Sequence, residues 1–177
     1  MYANTTDLNF DILYQGDILK NFPFFIFPEK FKFLTKSNDE NKFILETSQK
    51  TVHGEQPIMI TVKLTSAILL SQTCDIQQRE NIVVAPVYTI ETFKESGILS
   101  DNKVDLVKKR RYGYLFYLPK LDGVIDDSIV YLQTIHYLPK NCVLSYKNNK
   151  IATMSDWGRH HLAWALSNYF GRPIEEK

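Results

Sequence analysis

The chain has 177 residues and a mass of 20.6 kDa, with 44% hydrophobic and 23% charged residues, a globular balance that excludes a disordered or low-complexity chain. Lys and Arg number 21 against 20 Asp and Glu, net +1, so no global field points to nucleic acid or an anionic membrane. The two cysteines, Cys74 and Cys142, are too few for a disulfide scaffold or a Cys-rich zinc module.

The opening residues lack the basic and apolar regions of a secretory leader, and no apolar run reaches the ~18 residues of a membrane span. A cytoplasmic protein without membrane contact, folded as a single domain over residues 1–177, is the expectation. Gln15-Gly16-Asp17 is a turn signal ahead of Ile18-Leu19. Pro23 and Pro28 interrupt the following aromatic run and assign it to an edge strand or an arch. Lys42 to Thr47 reads as a strand, Ser48 to Gln56 as a loop, and the alternation of Ile58, Ile60 and Val62 as a half-buried strand. Ala67-Ile68-Leu69-Leu70 and Ile82-Val83-Val84-Ala85 are continuous apolar runs suited to central strands. The polar segment between them, from Ser71 to Asn81, reads as a connection on a rigid scaffold.

Ile90, Phe93, Ile98 and Leu99 predict a short helix interrupted at Gly97. Ser100 or Asp101 then caps a second one carrying Val104, Leu106 and Val107. Strands are predicted from Tyr112 to Leu118, Ile129 to Ile135 and Cys142 to Tyr146, the last followed by a turn into Ile151. The C-terminal helix spans about residues 155–170, capped by Ser155 or Asp156, with Trp157, His161, Leu162, Ala165, Leu166 and Tyr169 on its core face and Gly171 at its end.

The order of these segments resembles the MazF/PemK/Kid toxin family over roughly residues 14–170. The resemblance is carried by Gly16-Asp17-Ile18-Leu19, by the serine-ended strand Ala67 to Ser71, by the proline-ended strand Ile82 to Pro86, and by Asp127-Ser128 leading into Ile129 to Ile135. It implies a small SH3/MazF-like antiparallel β-barrel, mainly β, with two short inserted helices and the C-terminal helix. It also implies ribonuclease chemistry, a protein partner of the toxin–antitoxin kind and a homodimer. The Arg-Pro pair with which family ribonucleases precede the serine-ended strand is replaced here by Thr65-Ser66. The family's working threonine falls at Tyr88, with Thr89 one position on. A threonine does not supply the charge stabilisation of an arginine, so an altered or inactive relative is expected.

Two segments carry chemistry. Ser71-Gln72-Thr73-Cys74-Asp75 sets hydroxyls, a thiol and a carboxylate beside a buried strand. Ser71, Thr73, Cys74 and Asp75, with His136 as assisting base, are the candidate catalytic residues of a Cys74-dependent hydrolase or transferase. The alternative is turn capping around a buried thiol. Lys108-Lys109-Arg110-Arg111, followed by Tyr112 and Tyr114, is the concentrated basic patch and the candidate site for single-stranded RNA. The alternative is a helix C-terminus balanced by cations, with Asp122, Asp126 and Asp127 as their partners. His160 and His161 are adjacent, so they point about 100° apart on a helix. With no metal-ligand spacing and no Gly-rich phosphate loop, neither a metal nor a cofactor is expected. Three readings stay open: a MazF-like RNA-binding or endoribonuclease-like module, a regulatory protein-interaction component, and a Cys74 enzyme.

Overall fold

The computed structural model describes residues 1–4, 8–26, 32–36, 43–46 and 58–171. They belong to two compact units, Met1–Phe22 with Thr65–Lys177 and Pro23–Leu64. The predicted loop from Ser48 to Gln56, the Pro28 arch and the residues after Gly171 lie outside the described residues.

The first unit is built on β6 (Asn81–Thr89), in which Ile82, Val84 and Ala85 have no exposure. β5 (Thr61–Leu69) pairs antiparallel along one side of it, with Ile68 opposite Ala85. The other side is shared end to end by β8 (Ser128–Tyr131) and β9 (His136–Pro139), with Tyr88 opposite Ile129 and Val84 opposite His136. Apolar runs without alternation become the two middle strands because both of their faces are covered. With β1 (Asp17–Ile26), β7 (Leu115–Leu118) and β10 (Lys150–Thr153), the strand order is β10-β1-β5-β6-β8-β7, with β9 on β6. The path ends at β10 and β7 without a described pairing between them, so the mainly antiparallel β class holds and the sheet is open.

Five α-helices accompany the strands: α1 (Thr73–Gln78), α2 (Ile90–Glu95), α3 (Asp101–Lys108), α4 (Lys140–Leu144) and α5 (Asp156–Phe170). The two inserted helices and the C-terminal helix stand where the sequence places them. Three local expectations do not hold. Cys142 to Tyr146 is not a strand: α4 occupies Lys140–Leu144, anchored by buried Val143. The strand expected from Ile129 to Ile135 stops at Tyr131, and a turn of 3-10 helix over Leu132–Thr134 separates it from β9. The segment from Ser71 to Asn81, read as a plain connection, contains α1. Each of these segments carries one buried apolar side chain, Val143, Leu132 or Ile76, and in the first two packing of this kind outweighs strand propensity.

In the second unit, β2 (Lys32–Lys36) lies between β3 (Phe43–Glu46) and β4 (Ile58–Met59), both antiparallel to it. Pro23 sits in β1 beyond Leu19, the last β1 residue in register with β10, so its missing N–H costs that pairing nothing. Val62, expected to be half-buried, is exposed.

The Gly16-Asp17 pair has a physical explanation. Gly16 takes φ +83°, its N–H donates to Leu69 O at 2.9 Å, and its carbonyl accepts from Met154 N at 3.2 Å. A Cβ there would lie 2.8 Å from Met154 Cβ. Gly16→Ala combines left-handed strain with overpacking and is expected to cost about 2–4 kcal/mol, read as a lower urea midpoint at unchanged m-value. Asp17 is fully buried and ion-paired at 2.7 Å to Lys150, also fully buried. Its carboxylate further accepts from Tyr14 N at 2.8 Å and Thr153 Oγ1 at 2.7 Å. The Lys150 ammonium donates to Asn9 O at 2.5 Å and Ile12 O at 2.7 Å.

Candidate nucleic-acid interface

The basic segment follows the end of α3. Lys109 is the C-cap, and Arg110 turns the chain with φ 56°, its N–H bonded to Val107 O at 2.8 Å. A non-glycine residue in the left-handed region is uncommon. The Arg110 guanidinium lies 5.4 Å from the centroid of the buried Phe116 ring, and Nη1 is 2.5 Å from Nδ1 of His161 on α5. A guanidinium only donates, so His161 Nδ1 accepts and the neutral ring carries its proton on Nε2. Desolvation first, then the Arg110 charge and His160, lowers the His161 pKa, which keeps the ring neutral at pH 7. Arg110 is thus held in place by a neutral partner, and its charge is not cancelled.

α5 supplies the facing wall. Ser155 caps it, accepting from Gly158 N at 3.2 Å. Gly158 and Leu162 are buried against the sheet. Trp157, His160, His161 and Trp164 therefore follow an i, i+3, i+4, i+7 stripe on another face. Trp157 and Trp164 are 59% and 61% exposed, and the Trp157 and His161 rings meet edge-on at 4.0 Å between centroids. Between this stripe and Lys109, Arg110 and Arg111 runs an open cavity of about 870 Å³. Its one carboxylate, Asp156, is paired with Arg159. A second concavity, about 300 Å³, extends past Arg111, Trp164, Tyr112 and Asn168. Three cations and two exposed indoles along one groove can hold phosphates and stack unpaired bases.

Lys109, Arg110 and Arg111 adjoin one cavity, and its opposite wall comes from α5, far along the chain. The sequence pattern puts Trp157 and His161 on the core face of the helix, whereas the buried residues are Gly158 and Leu162, with Ala165, Leu166 and Tyr169 packed against the same core. Two tryptophans seven residues apart with histidines between them were the legible signal. Lys108 leaves the patch: its ammonium lies 3.4 Å from Asp127 Oδ2 and over the Tyr117 ring. Asp127 also accepts from Tyr117 Oη at 2.5 Å and Lys120 N at 3.0 Å. The Tyr117 hydrogen bond is the largest contribution lowering its pKa. Tyr112 and Tyr114 do not alternate on a strand, because β7 begins only at Leu115. Their rings meet at 5.9 Å, and Tyr114 packs on toward Tyr131 in the cluster around Phe93.

The Ser71 to Asp75 segment is organised differently. Ser71 Oγ accepts from Val83 N at 2.8 Å, and Thr73 Oγ1 accepts from Gln15 N at 3.2 Å. Asp75 pairs with Arg79 at 3.4 Å. Cys74 is exposed, and its polar contact among the described residues is Gln72 Oε1 at 3.8 Å. The hydroxyls brace backbone, and the thiol's described contact supplies neither a base nor a cation to form a thiolate. His136 stands on β9 opposite Val84, and desolvation lowers its pKa. Cys142 is exposed on α4. Among the described residues no three of His, Cys, Asp and Glu gather closely enough to hold a metal ion, and no helix is long and apolar enough to cross a membrane.

No family model and no curated protein matches the chain. Among solved structures it is similar to the crystal structure of MazF from Deinococcus radiodurans, at 11% identity and a TM-score of 0.38, over 84% of this chain and 99% of that one. What the groove does is read from its own residues.

Proposed function

We propose that this protein is a MazF-like module that binds single-stranded RNA without cutting it. The carrying observation is the groove in which Lys109, Arg110 and Arg111 face Trp157 and Trp164 across about 870 Å³. Cations that track a backbone, with aromatic rings along the same path, are the two requirements of single-strand binding. The cleavage that the resemblance implies relies on an arginine at the developing phosphorane charge and on a second working residue, a threonine. At the positions where the resemblance would put such groups stand Thr65 and Tyr88. Thr65 donates its hydroxyl to Val87 O at 2.8 Å. The Tyr88 pKa is raised, mainly by desolvation, so its phenol stays protonated.

Titration of the tryptophan fluorescence with a uridine hexamer at low salt tests this reading. Saturable quenching is expected, with the oligonucleotide intact on a gel. Trp164→Ala and Trp157→Ala should each weaken binding by about 1–3 kcal/mol, the worth of one stacked base. Absence of quenching at low salt would sink the RNA reading and leave a partner protein, or a second copy of the chain, as the occupant of this face.

A further inference from the structure

A third pocket lies on the opposite flank of α5. On a helix of 3.6 residues per turn, Ala163, Leu166, Ser167 and Phe170 form a stripe roughly a third of a turn around from the tryptophan stripe. They line a cavity of about 510 Å³ whose other wall is Ser71, Gln72 and Asp75. We propose that this pocket reads a guanine base of the bound strand through the Asp75 carboxylate. The inference rests on the RNA reading and adds base specificity to it.

The segment is built to hold a carboxylate still. Ile76 anchors α1 in the core, and Ile76 N bonds to Gln72 O at 2.9 Å. Ser71 and Thr73 are tied to the Val83 and Gln15 amides, and Gln15, itself buried, donates from Nε2 to Leu70 O at 2.8 Å. The hydroxyls of Ser71 and Thr73 thus position the segment, and Asp75, in the first turn of α1, is the carboxylate in the pocket lining, beside the neutral Gln72 and Ser167. Its partner Arg79 is largely exposed, at 72%. A pair that exposed is weak and yields to a better donor.

Donor geometry selects the base. A carboxylate only accepts, and guanine alone offers two parallel donors, N1–H and the N2 amino group, on its Watson–Crick edge. Uracil places its single N–H between two carbonyl oxygens, which a carboxylate repels. Adenine and cytosine set their amino group beside a ring acceptor. Unpaired RNA bases are commonly read on this edge while stacked on an aromatic ring. Phe170, 66% exposed, supplies that ring, held edge-on by Tyr169 at 5.0 Å. A helix with its side chains is about 10–12 Å across, a distance that roughly two nucleotides of single strand bridge from the cationic groove.

The test uses the full chain and three hexamers: all uridine, uridine with one guanosine, and uridine with one inosine, which lacks the N2 amino group. The guanosine hexamer is expected to bind roughly tenfold tighter than all-uridine, with inosine in between. Asp75→Asn should abolish the preference, read as the ratio of guanosine-hexamer to all-uridine affinity falling to about one. Equal affinity for the guanosine and uridine hexamers, or a preference that survives Asp75→Asn, overturns this inference and leaves the RNA reading standing. No binding of any hexamer at low salt removes both. The inosine comparison needs no variant, so a folding defect in Asp75→Asn cannot hide the answer.

Discussion

Lys150→Met is expected to lower the stability of the protein by about 3–5 kcal/mol, because it strands the Asp17 carboxylate in the interior. Both side chains have no exposure and are 2.7 Å apart. The carboxylate keeps its bonds from Tyr14 N and Thr153 Oγ1, but two neutral donors do not replace an ammonium where water is excluded. The carbonyls of Asn9 and Ile12 lose their donor in the same step. For a chain of this length a loss of that size lowers Tm by about 10–15 °C. Adding Asp17→Asn removes the stranded charge, so the double variant should be more stable than Lys150→Met alone. The cycle of four proteins measures the coupling, which is expected to exceed 1 kcal/mol. A cost of Lys150→Met under about 1 kcal/mol would mean that the pair is hydrated in solution.

The second large effect concerns the groove. Replacing Lys109, Arg110 and Arg111 together by alanine should weaken binding of a uridine hexamer about a hundredfold at 0.1 M salt. Each phosphate contact on a single strand contributes about 0.7 to the slope of log K against log salt. Three contacts therefore account for about two decades between 0.1 and 1 M, and the slope should fall by about 2 in the triple variant. Lys108→Ala serves as the contrast: Lys108 is engaged with Asp127, so its loss should leave the slope nearly unchanged. A slope that drops equally for Lys108→Ala would mean that net charge, and not the groove, governs binding. Arg110 carries more than its charge, since Phe116 and His161 hold its guanidinium in place. Arg110→Lys is expected to recover the slope but not the full affinity, because an ammonium lacks the planar fork that these contacts pre-organise.

Local sequence patterns were informative wherever the deciding interactions were local or uniformly apolar. Ala67 to Leu70 and Ile82 to Ala85 read as central strands and are β5 and β6, since no other placement buries both faces of such a run. The turn at Gly16 and the cap at Ser155 follow from conformations available to few residue types. The same reasoning failed where one tertiary contact outweighs propensity. Val143 draws Cys142 into a helix. Ser71 and Thr73 accept from the amides of Val83 and Gln15, partners distant in sequence that no local pattern reveals.

What the sequence alone determines here is a mainly β chain with two inserted helices, a C-terminal helix and a basic run after the second insert. Each of these depends on residues within a few positions of one another. What only the tertiary structure decides is which cations are free and what faces them. Asp127 withdraws Lys108 from the patch, and α5 turns Trp157, His161 and Trp164 toward Arg110 across a groove. An ion pair and a groove wall are made between residues far apart in the chain. Helical periodicity shows which side chains share a face, but only packing against the sheet selects the face that stays open.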